Sequence, residues 1–196
     1  DNFILSKGTP LTEKPKFIIG YNEPDNKVQA NMSIDRVLHS WESLVKLIPF
    51  DVMLVAPSVS DGIFNYRTHL YDALVSHGLR FDAIGLHYYR TDIDAFPKND
   101  IKMLSDKYGK PCVITEYGYM DWKNPARLKN INLEEKNNIT AKVINISEYF
   151  ELSADVVGYC IYPSYSVTSY HGDKYNSFNM LEGNKLTDLY KEYSKI

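Results

Sequence analysis

The sequence contains only two cysteines, no long run of basic residues and no long apolar segment. Two cysteines are too few for a disulfide scaffold, and Cys112 and Cys160 both lie in apolar, strand-like segments, so we expect two buried free thiols. The net charge of -3 argues against nucleic acid or an anionic membrane surface as a partner. A membrane-spanning helix needs about 20 consecutive apolar residues, and no such segment occurs.

The N-terminus also lacks a basic segment followed by an apolar one. The chain begins at Asp1 rather than Met, which we interpret as a mature or processed product. Three sequons, at Asn31, Asn138 and Asn145, permit N-glycosylation in a secretory setting, and we expect a secreted or extracellular protein. With 196 residues, 44% hydrophobic and 24% charged, the chain fits one globular domain spanning residues 1–196.

Short apolar segments alternate with amphipathic segments along most of the chain, which is typical of parallel βα units. The predicted strands share a high content of apolar residues and lie at 16–24, 51–60, 81–89, 111–119 and 155–164. The predicted helices share apolar residues at helical spacing and lie at about 34–48, 64–77, 99–108, 134–152 and from 187 to the C-terminus.

Five such units fit either a doubly wound sheet or part of a (β/α)8 barrel. A doubly wound nucleotide-binding sheet carries a glycine-rich phosphate motif after an early strand, and neither GxGxxG nor GxxxxGK occurs here. The predicted strand ends carry Asn, Glu, His and Tyr instead, and in barrels the catalytic residues lie at such ends. The sequence therefore favours the α/β class and a (β/α)8 TIM barrel. No group of residues has metal-ligand spacing, so we expect no metal and no cofactor.

Two glutamates lie at equivalent positions. Glu23 ends the strand in "FIIGYNEPD", and Glu116 lies near the end of the strand in "CVITEYG". A barrel would direct both side chains into its central mouth. A protonated carboxylic acid facing an ionised carboxylate suits the cleavage of a glycosidic bond. The alternative is that each glutamate is a solvated loop residue.

Several segments resemble the β-1,3-glucanase-like glycosyl hydrolase catalytic core of glycoside hydrolase family 128, in clan A. The segments that carry the resemblance occur in order and are "GYNEPD", "QANMS", "APSVS", "DAIGLHYY", "KPCVITEYGY" and the final "NKLTDLYKEYSKI". The resemblance extends from about residue 17 to the C-terminus.

The resemblance implies retaining hydrolysis through a covalent glycosyl-enzyme intermediate, with the two carboxylates about 5 to 5.5 Å apart. It makes Glu23, at the end of barrel strand four, the general acid and base, and Glu116, at the end of strand seven, the nucleophile. It also implies that Asn22 binds the 2-hydroxyl of the sugar and that His87 and Tyr89 orient Glu116 and line the subsite.

The acid role requires Glu23 to be protonated at neutral pH. We expect the negative charge of Glu116 and partial burial to raise the pKa of Glu23 and so to retain that proton. Pro24 stops the strand and stiffens the turn, which leaves Glu23 directed into the mouth.

Four aromatic residues follow or end the predicted strands: Tyr88, Tyr117, Tyr119 and Trp122. Aromatic faces stack on sugar rings, so these residues are candidates for a substrate-binding platform. Packing in the core is the alternative for each of them.

The chain is short for a complete barrel, which typically needs about 250 residues. Only about sixteen residues precede the strand with Glu23, so in family terms the chain holds strands four to eight. Five strands alone would leave two unpaired parallel edges. We therefore expect strands one to three to reside on a second polypeptide, either a fragment of the same precursor or a partner subunit.

Three functions remain open on the sequence. The first is a retaining hydrolase of β-1,3-glucan or a related β-glucan, which both glutamates favour. The second is a non-catalytic glycan-binding or structural module, which the missing strands favour. The third is a β-mannan or β-xylan hydrolase, because the same pair of carboxylates serves those substrates.

Overall fold

The fold is available as a computed structural model, which describes residues 15–60, 64–90, 98–119 and 132–162. Near the C-terminus it also describes residues 181–182, 185–186 and 194–195. The final helix expected from residue 187 lies outside these ranges, as does Trp122.

The described residues form alternating strands and helices, as the sequence predicts. In chain order they are β1 (Phe17–Ile19), α1 (Ile34–Val45), β2 (Met53–Val55), α2 (Phe64–Ser76), β3 (Ile84–Arg90), α3 (Lys98–Tyr108), β4 (Cys112–Tyr119), α4 (Leu133–Leu152) and β5 (Val156–Ile161). A short antiparallel pair, β6 (Leu181–Glu182) and β7 (Lys185–Leu186), follows, and the sequence did not predict it.

The first five strands are parallel, and each neighbours the strand that follows it in the sequence. β1 pairs with β2, and β3, β4 and β5 form a second sheet in that order. Parallel bridges from Val55 to Ala83 and from Val59 to Leu86 connect β2 with β3. All these strands therefore point their carboxyl ends in one direction, where the predicted polar residues lie.

Helix α1 shows how the sequence fixes one helix under the end of β1. Ser33 caps its N-terminus by accepting a 3.3 Å hydrogen bond from the backbone N–H of Arg36. The buried face includes Trp41, whose indole N–H donates to the carbonyl of Arg80 at 2.9 Å. A Cβ atom on Gly20 would lie 2.6 Å from the Trp41 ring. The packing of α1 therefore brings the tryptophan directly against the chain that leads to Glu23.

Strand β3 is buried on both faces, as parallel strands usually are. Tyr88 faces α2, where the guanidinium of Arg67 lies 5.4 Å from the centre of its ring. His87 and Tyr89 point to the opposite face, towards the two glutamates. Alternate residues of one strand thus serve the core and the site.

The two thiols differ in environment. Cys112 is buried, and burial raises its pKa to about 12. Cys160 is exposed, so the expectation that both thiols are buried is wrong for this residue, which lies near the carboxyl end of β5. No helix within the described ranges is long and apolar enough to cross a bilayer.

Candidate active site

The turn after β1 holds Glu23 in an unusual backbone conformation. Its φ angle is +41°, in the left-handed region that residues other than glycine rarely adopt. Asn22 pairs with Ser58 in a parallel bridge, and the backbone N–H of Glu23 donates to the carbonyl of Ser58 at 2.8 Å. The chain therefore fixes Glu23 against the segment after β2 in spite of the strain.

A bulge between β3 and β4 places the second glutamate. Leu86 pairs with Ile114, and the next pair is His87 with Glu116, so Thr115 is the extra residue. The Thr115 hydroxyl donates to the carbonyl of Leu86 at 3.2 Å, and it lies 2.6 Å from the Ser58 hydroxyl. This bulge aligns Glu116 with His87 and ties β4 to the segment that also holds Glu23.

The two carboxylates meet at one imidazole. His87 Nδ1 lies 3.1 Å from Oε1 of Glu23 and 3.5 Å from Oε2 of Glu116. Carboxylate oxygens only accept hydrogen bonds, so the proton of His87 is on Nδ1. One oxygen from each glutamate and this nitrogen lie within 4.8 Å of one another. The structure therefore brings the two predicted glutamates together at the carboxyl ends of β1 and β4.

The side chains of both glutamates remain partly accessible, at 13% for Glu23 and 25% for Glu116, whereas His87 is fully buried. The hydroxyl of Tyr89 donates a 2.5 Å hydrogen bond to Oε2 of Glu116. Burial and the neighbouring Glu116 carboxylate raise the pKa of Tyr89, which keeps this hydroxyl protonated. A phenol that stays neutral at this position keeps its proton to donate, and so it holds Oε2 of Glu116 in place.

The protonation expected for Glu23 is wrong in this structure. The hydrogen bond from His87 lowers the pKa of Glu23, and a second one from Asn26 adds to the effect, while burial opposes both. Donors to a carboxylate favour its ionised form. Glu23 is therefore ionised at neutral pH in this structure.

The expected aromatic platform is largely part of the core. Tyr88, Tyr117 and Tyr119 are all buried, and the hydroxyl of Tyr117 lies 2.6 Å from that of Ser147 on α4. The substrate-stacking prediction is therefore corrected to packing for these three tyrosines. The physical reason is that β3 and β4 are covered on both sides, so an aromatic near a strand end need not face the mouth.

An aromatic that the sequence analysis did not single out lies beside the site. Tyr162 directly follows β5, is 39% exposed, and its ring centre lies 6.1 Å from that of Tyr89. The backbone N–H of Tyr162 donates to the carbonyl of Tyr117 at 2.9 Å. Its position at a strand end was the available signal. Asn22, which the sequence did single out, is exposed beside Glu23.

Sequence reasoning also missed the polar residues that support the glutamates, Asn26, Ser58 and Thr115. Asn26 Nδ2 donates to Oε2 of Glu23 at 2.7 Å. Glu23, His87 and Glu116 form the one group in the described part of the chain whose ligand atoms are close enough for a metal ion. The hydrogen bonds among them account for the arrangement, and we assign no metal to it.

Comparison with known proteins identifies solved structures that share this fold. The chain superimposes on an exo-β-1,3-glucanase of glycoside hydrolase family 128, subgroup V, from Cryptococcus neoformans with a TM-score of 0.77. The identity is 19%, over 96% of this chain and 72% of the other. An oligosaccharide-binding protein of subgroup VII from the same organism gives a TM-score of 0.71 and 22% identity, over 94% and 69%.

A third similar structure is an endo-β-1,3-glucanase of subgroup I from Amycolatopsis mediterranei, solved in complex with laminarihexaose. Its TM-score is 0.70 and its identity 19%, over 92% of this chain and 72% of the other. These structures confirm the resemblance to family 128 at the level of the fold. No curated protein matches the chain by sequence. The family model described as "Glycosyl hydrolase catalytic core" matches residues 2–193, and the chain therefore belongs to the glycosyl hydrolase catalytic core family.

Proposed function

We propose that this protein is a retaining glycoside hydrolase that acts on β-1,3-glucan or a related β-glucan. The observation that carries the proposal is the separation of the carboxylates: an oxygen of Glu23 lies within 4.8 Å of one of Glu116. Retaining enzymes hold their carboxyl groups about 5–5.5 Å apart, whereas inverting enzymes leave about 6.5–9.5 Å for a water molecule. The glucanases among the similar structures support the choice of substrate.

Glu116 is the nucleophile in this proposal. The Tyr89 hydroxyl holds its Oε2 at 2.5 Å, which leaves Oε1 to attack the anomeric carbon. The bond from that carbon to the leaving oxygen breaks as the bond to Oε1 forms. His87, which hydrogen-bonds Glu23 and lies 3.5 Å from Oε2 of Glu116, fixes the two side chains relative to each other.

Glu23 is the general acid and then the general base. It donates a proton to the leaving oxygen in the first step and removes a proton from the attacking water in the second. The hydrogen bonds from His87 and Asn26 favour its ionised form, which suits the second step. A sugar bound over Glu23 excludes water, and this desolvation raises the pKa of the carboxyl group towards the value that the first step needs.

Substrate contacts in the proposal come from the rim of the site. Asn22 is exposed next to Glu23 and offers an amide to a sugar hydroxyl. Tyr162 offers a partly exposed aromatic face beside Tyr89. In the proposal, the Tyr162 face stacks on a sugar ring, while the Asn22 amide orients the sugar.

The fold proposed for the whole enzyme is the (β/α)8 barrel, of which this chain contributes strands four to eight. Support comes from the sequential parallel order of β1 to β5, since a doubly wound sheet reverses its strand order. The comparisons give no support for a second polypeptide that supplies strands one to three, and that expectation stays a prediction. Secretion is likewise a proposal that rests on the sequence.

Oligosaccharide binding without hydrolysis is a second candidate. The observation that favours it is that one of the similar structures is an oligosaccharide-binding protein. The two candidates predict different hydrolytic activities. A hydrolase cleaves the glycan and loses this activity when its nucleophile is removed, whereas a binding module shows no hydrolysis in either form.

The decisive experiment is a reducing-sugar assay on laminarin with the wild type and Glu116→Gln. We expect Glu116→Gln to lower kcat by at least about 1,000-fold, because the amide cannot form the glycosyl ester. Glu42→Gln is the matched control, since Glu42 lies on α1 in an exposed ion pair with Lys46, and we expect unchanged activity. Absence of turnover in the wild type, with laminarin binding in all three proteins, would establish the binding module instead. Mannan and xylan as alternative substrates test the specificity.

A further inference from the structure

We propose that Asn26 is a positioning residue that holds the carboxylate of Glu23 through its side-chain amide and thereby keeps it ready to act as the general base. The inference rests on the proposed function, because it assigns a task within the same site. Neither the sequence nor the comparisons assign any role to Asn26. The contacts of its side chain and backbone carry the argument.

The orientation of the Asn26 amide is determined by its neighbours. Its Oδ1 accepts a hydrogen bond from the backbone N–H of Val28 at 3.1 Å. An amide that accepts on one side presents its NH2 group on the other. That NH2 group lies 2.7 Å from Oε2 of Glu23. A flipped amide would direct an oxygen at the carboxylate and lose both bonds.

The backbone of Asn26 is equally constrained. Its N–H donates to the carbonyl of Glu23 at 3.0 Å, and its own carbonyl accepts from Gln29 at 3.0 Å and from Asn31 at 3.2 Å. The neighbouring Asp25 carboxylate accepts hydrogen bonds from the backbone N–H and the hydroxyl of Ser60. Asn26 is thus part of a hydrogen-bonded turn whose geometry is anchored to the segment after β2.

Both oxygens of Glu23 consequently have a donor. His87 donates to Oε1 from β3, and Asn26 donates to Oε2 from the turn itself. Among the described residues, the other titratable groups close to this carboxylate are Glu116 on β4 and Tyr89 on β3. The carboxylate of the adjacent Asp25 is bonded to Ser60. The two donors favour ionised Glu23 and fix the direction of its lone pairs, which is the state that accepts a proton from water.

Asn26→Asp separates this role from a merely structural one. An aspartate at this position keeps an oxygen that accepts from Val28, so the turn is retained, but it replaces the donor to Glu23 by a negative charge. Asn26→Ala removes both contacts. Gln29→Ala is the matched control, because Gln29 is exposed in the same turn and contributes only its backbone.

The measurements are the pH profile of kcat/KM on laminarin and the carboxyl 13C NMR titration of Glu23, assigned by comparison with Glu23→Gln. Loss of a donor raises the pKa of the group that must be protonated in the first step. The descending limb of the profile and the NMR midpoint should therefore both move to higher pH, by about one unit in Asn26→Ala and more in Asn26→Asp. Neither should move in Gln29→Ala.

The proposal is overturned if Asn26→Asp melts like the wild type and titrates Glu23 at the wild-type midpoint, because Asn26 would then serve the turn alone. If Asn26→Ala does not fold, Asn26→Asp alone tests the proposal. If the wild type fails to hydrolyse laminarin, the proposed function fails, and the NMR titration still decides whether Asn26 holds the carboxylate.

Discussion

Gly85 lies where β3 passes closest to the segment that follows β2. A Cβ atom there would come within 2.4 Å of the Ala56 carbonyl oxygen and 2.5 Å of the Ser58 hydroxyl. That hydroxyl bonds Thr115 in the bulge, and the Ser58 carbonyl bonds the backbone of Glu23. The missing side chain of one glycine thus permits the contact that joins the supports of both carboxylates.

We expect Gly85→Ala to lower the free energy of unfolding by about 1–3 kcal/mol, because the methyl group forces apart atoms that are already in contact. Gly158→Ala is the matched control in β5, where the added Cβ would meet only a Val113 methyl group at 3.6 Å. Urea denaturation followed by circular dichroism measures both. Equal stability of the two variants would contradict the close approach of β3 to Ser58.

Sequence reasoning located the two glutamates better than the residues that support them. Glu23 and Glu116 were predicted because each follows an apolar run at a strand end, a position that is visible in one dimension. Asn26 lies three residues beyond Glu23, and its amide turns back only because Glu23 adopts a φ of +41°. No local pattern predicts that angle for a glutamate, particularly one that precedes a proline.

At the scale of elements, helix α2 is bonded to the ends of two strands through one side chain. The buried hydroxyl of Tyr71 lies 2.6 Å from the Gly85 carbonyl and 3.1 Å from the Pro57 carbonyl. Both carbonyls belong to chain segments that lead directly to site residues. The helix therefore stabilises the segment that follows β2 relative to the start of β3.

Tyr71→Phe should destabilise the protein by about 1–2 kcal/mol, since two buried carbonyls lose a donor while the ring packing is unchanged. Tyr149→Phe provides the comparison, because the ring of Tyr149 packs against Phe150 and its hydroxyl makes no hydrogen bond to the described residues. Thermal unfolding of the two variants checks the difference. A Tyr71→Phe variant as stable as Tyr149→Phe would contradict a stabilising role for the Tyr71 hydroxyl.

The elements themselves were predicted with good fidelity because their apolar periodicity is strong. Helix α1 begins at Ile34 as expected, since Ser33 is a recognisable cap, and α4 differs by one residue at its start. The strands β1 and β2 are shorter than expected. Beyond Ile19 and Val55 the chain forms single bridges, Asn22 with Ser58 and Val59 with Leu86, instead of a continuous ladder.

For the molecule as a whole, the two thiols report on the integrity of the core. One cysteine per chain, Cys160, should react with a thiol reagent under native conditions, and Cys112 should react only after unfolding, because it is buried with a raised pKa. Titration with and without denaturant gives the counts. Cys160→Ser should remove the native reaction, and two native equivalents would contradict a closed core around β4.

The parallel order of β1 to β5 follows from a strand–helix alternation that the sequence displays openly. The sequence does not, however, predict which aromatic residues lie in the core and which face the site. Tyr88 and Tyr89, for example, are adjacent on β3 and equally apolar. Only the contacts of the folded chain separate Tyr88, which lies under Arg67, from Tyr89, which binds Glu116. Sequence periodicity gives a strand two faces without saying which one is functional.

The left-handed backbone at Glu23 has a consequence for how this protein can change. Glycine adopts that conformation without penalty, so selection for folding alone would favour glycine at position 23. The carboxylate persists there against the preference of its own backbone. A glycine at position 23 would therefore raise the stability of the fold but remove the carboxylate that the proposed reaction needs. A more thermostable variant that keeps Glu23 must gain its stability from substitutions at other positions.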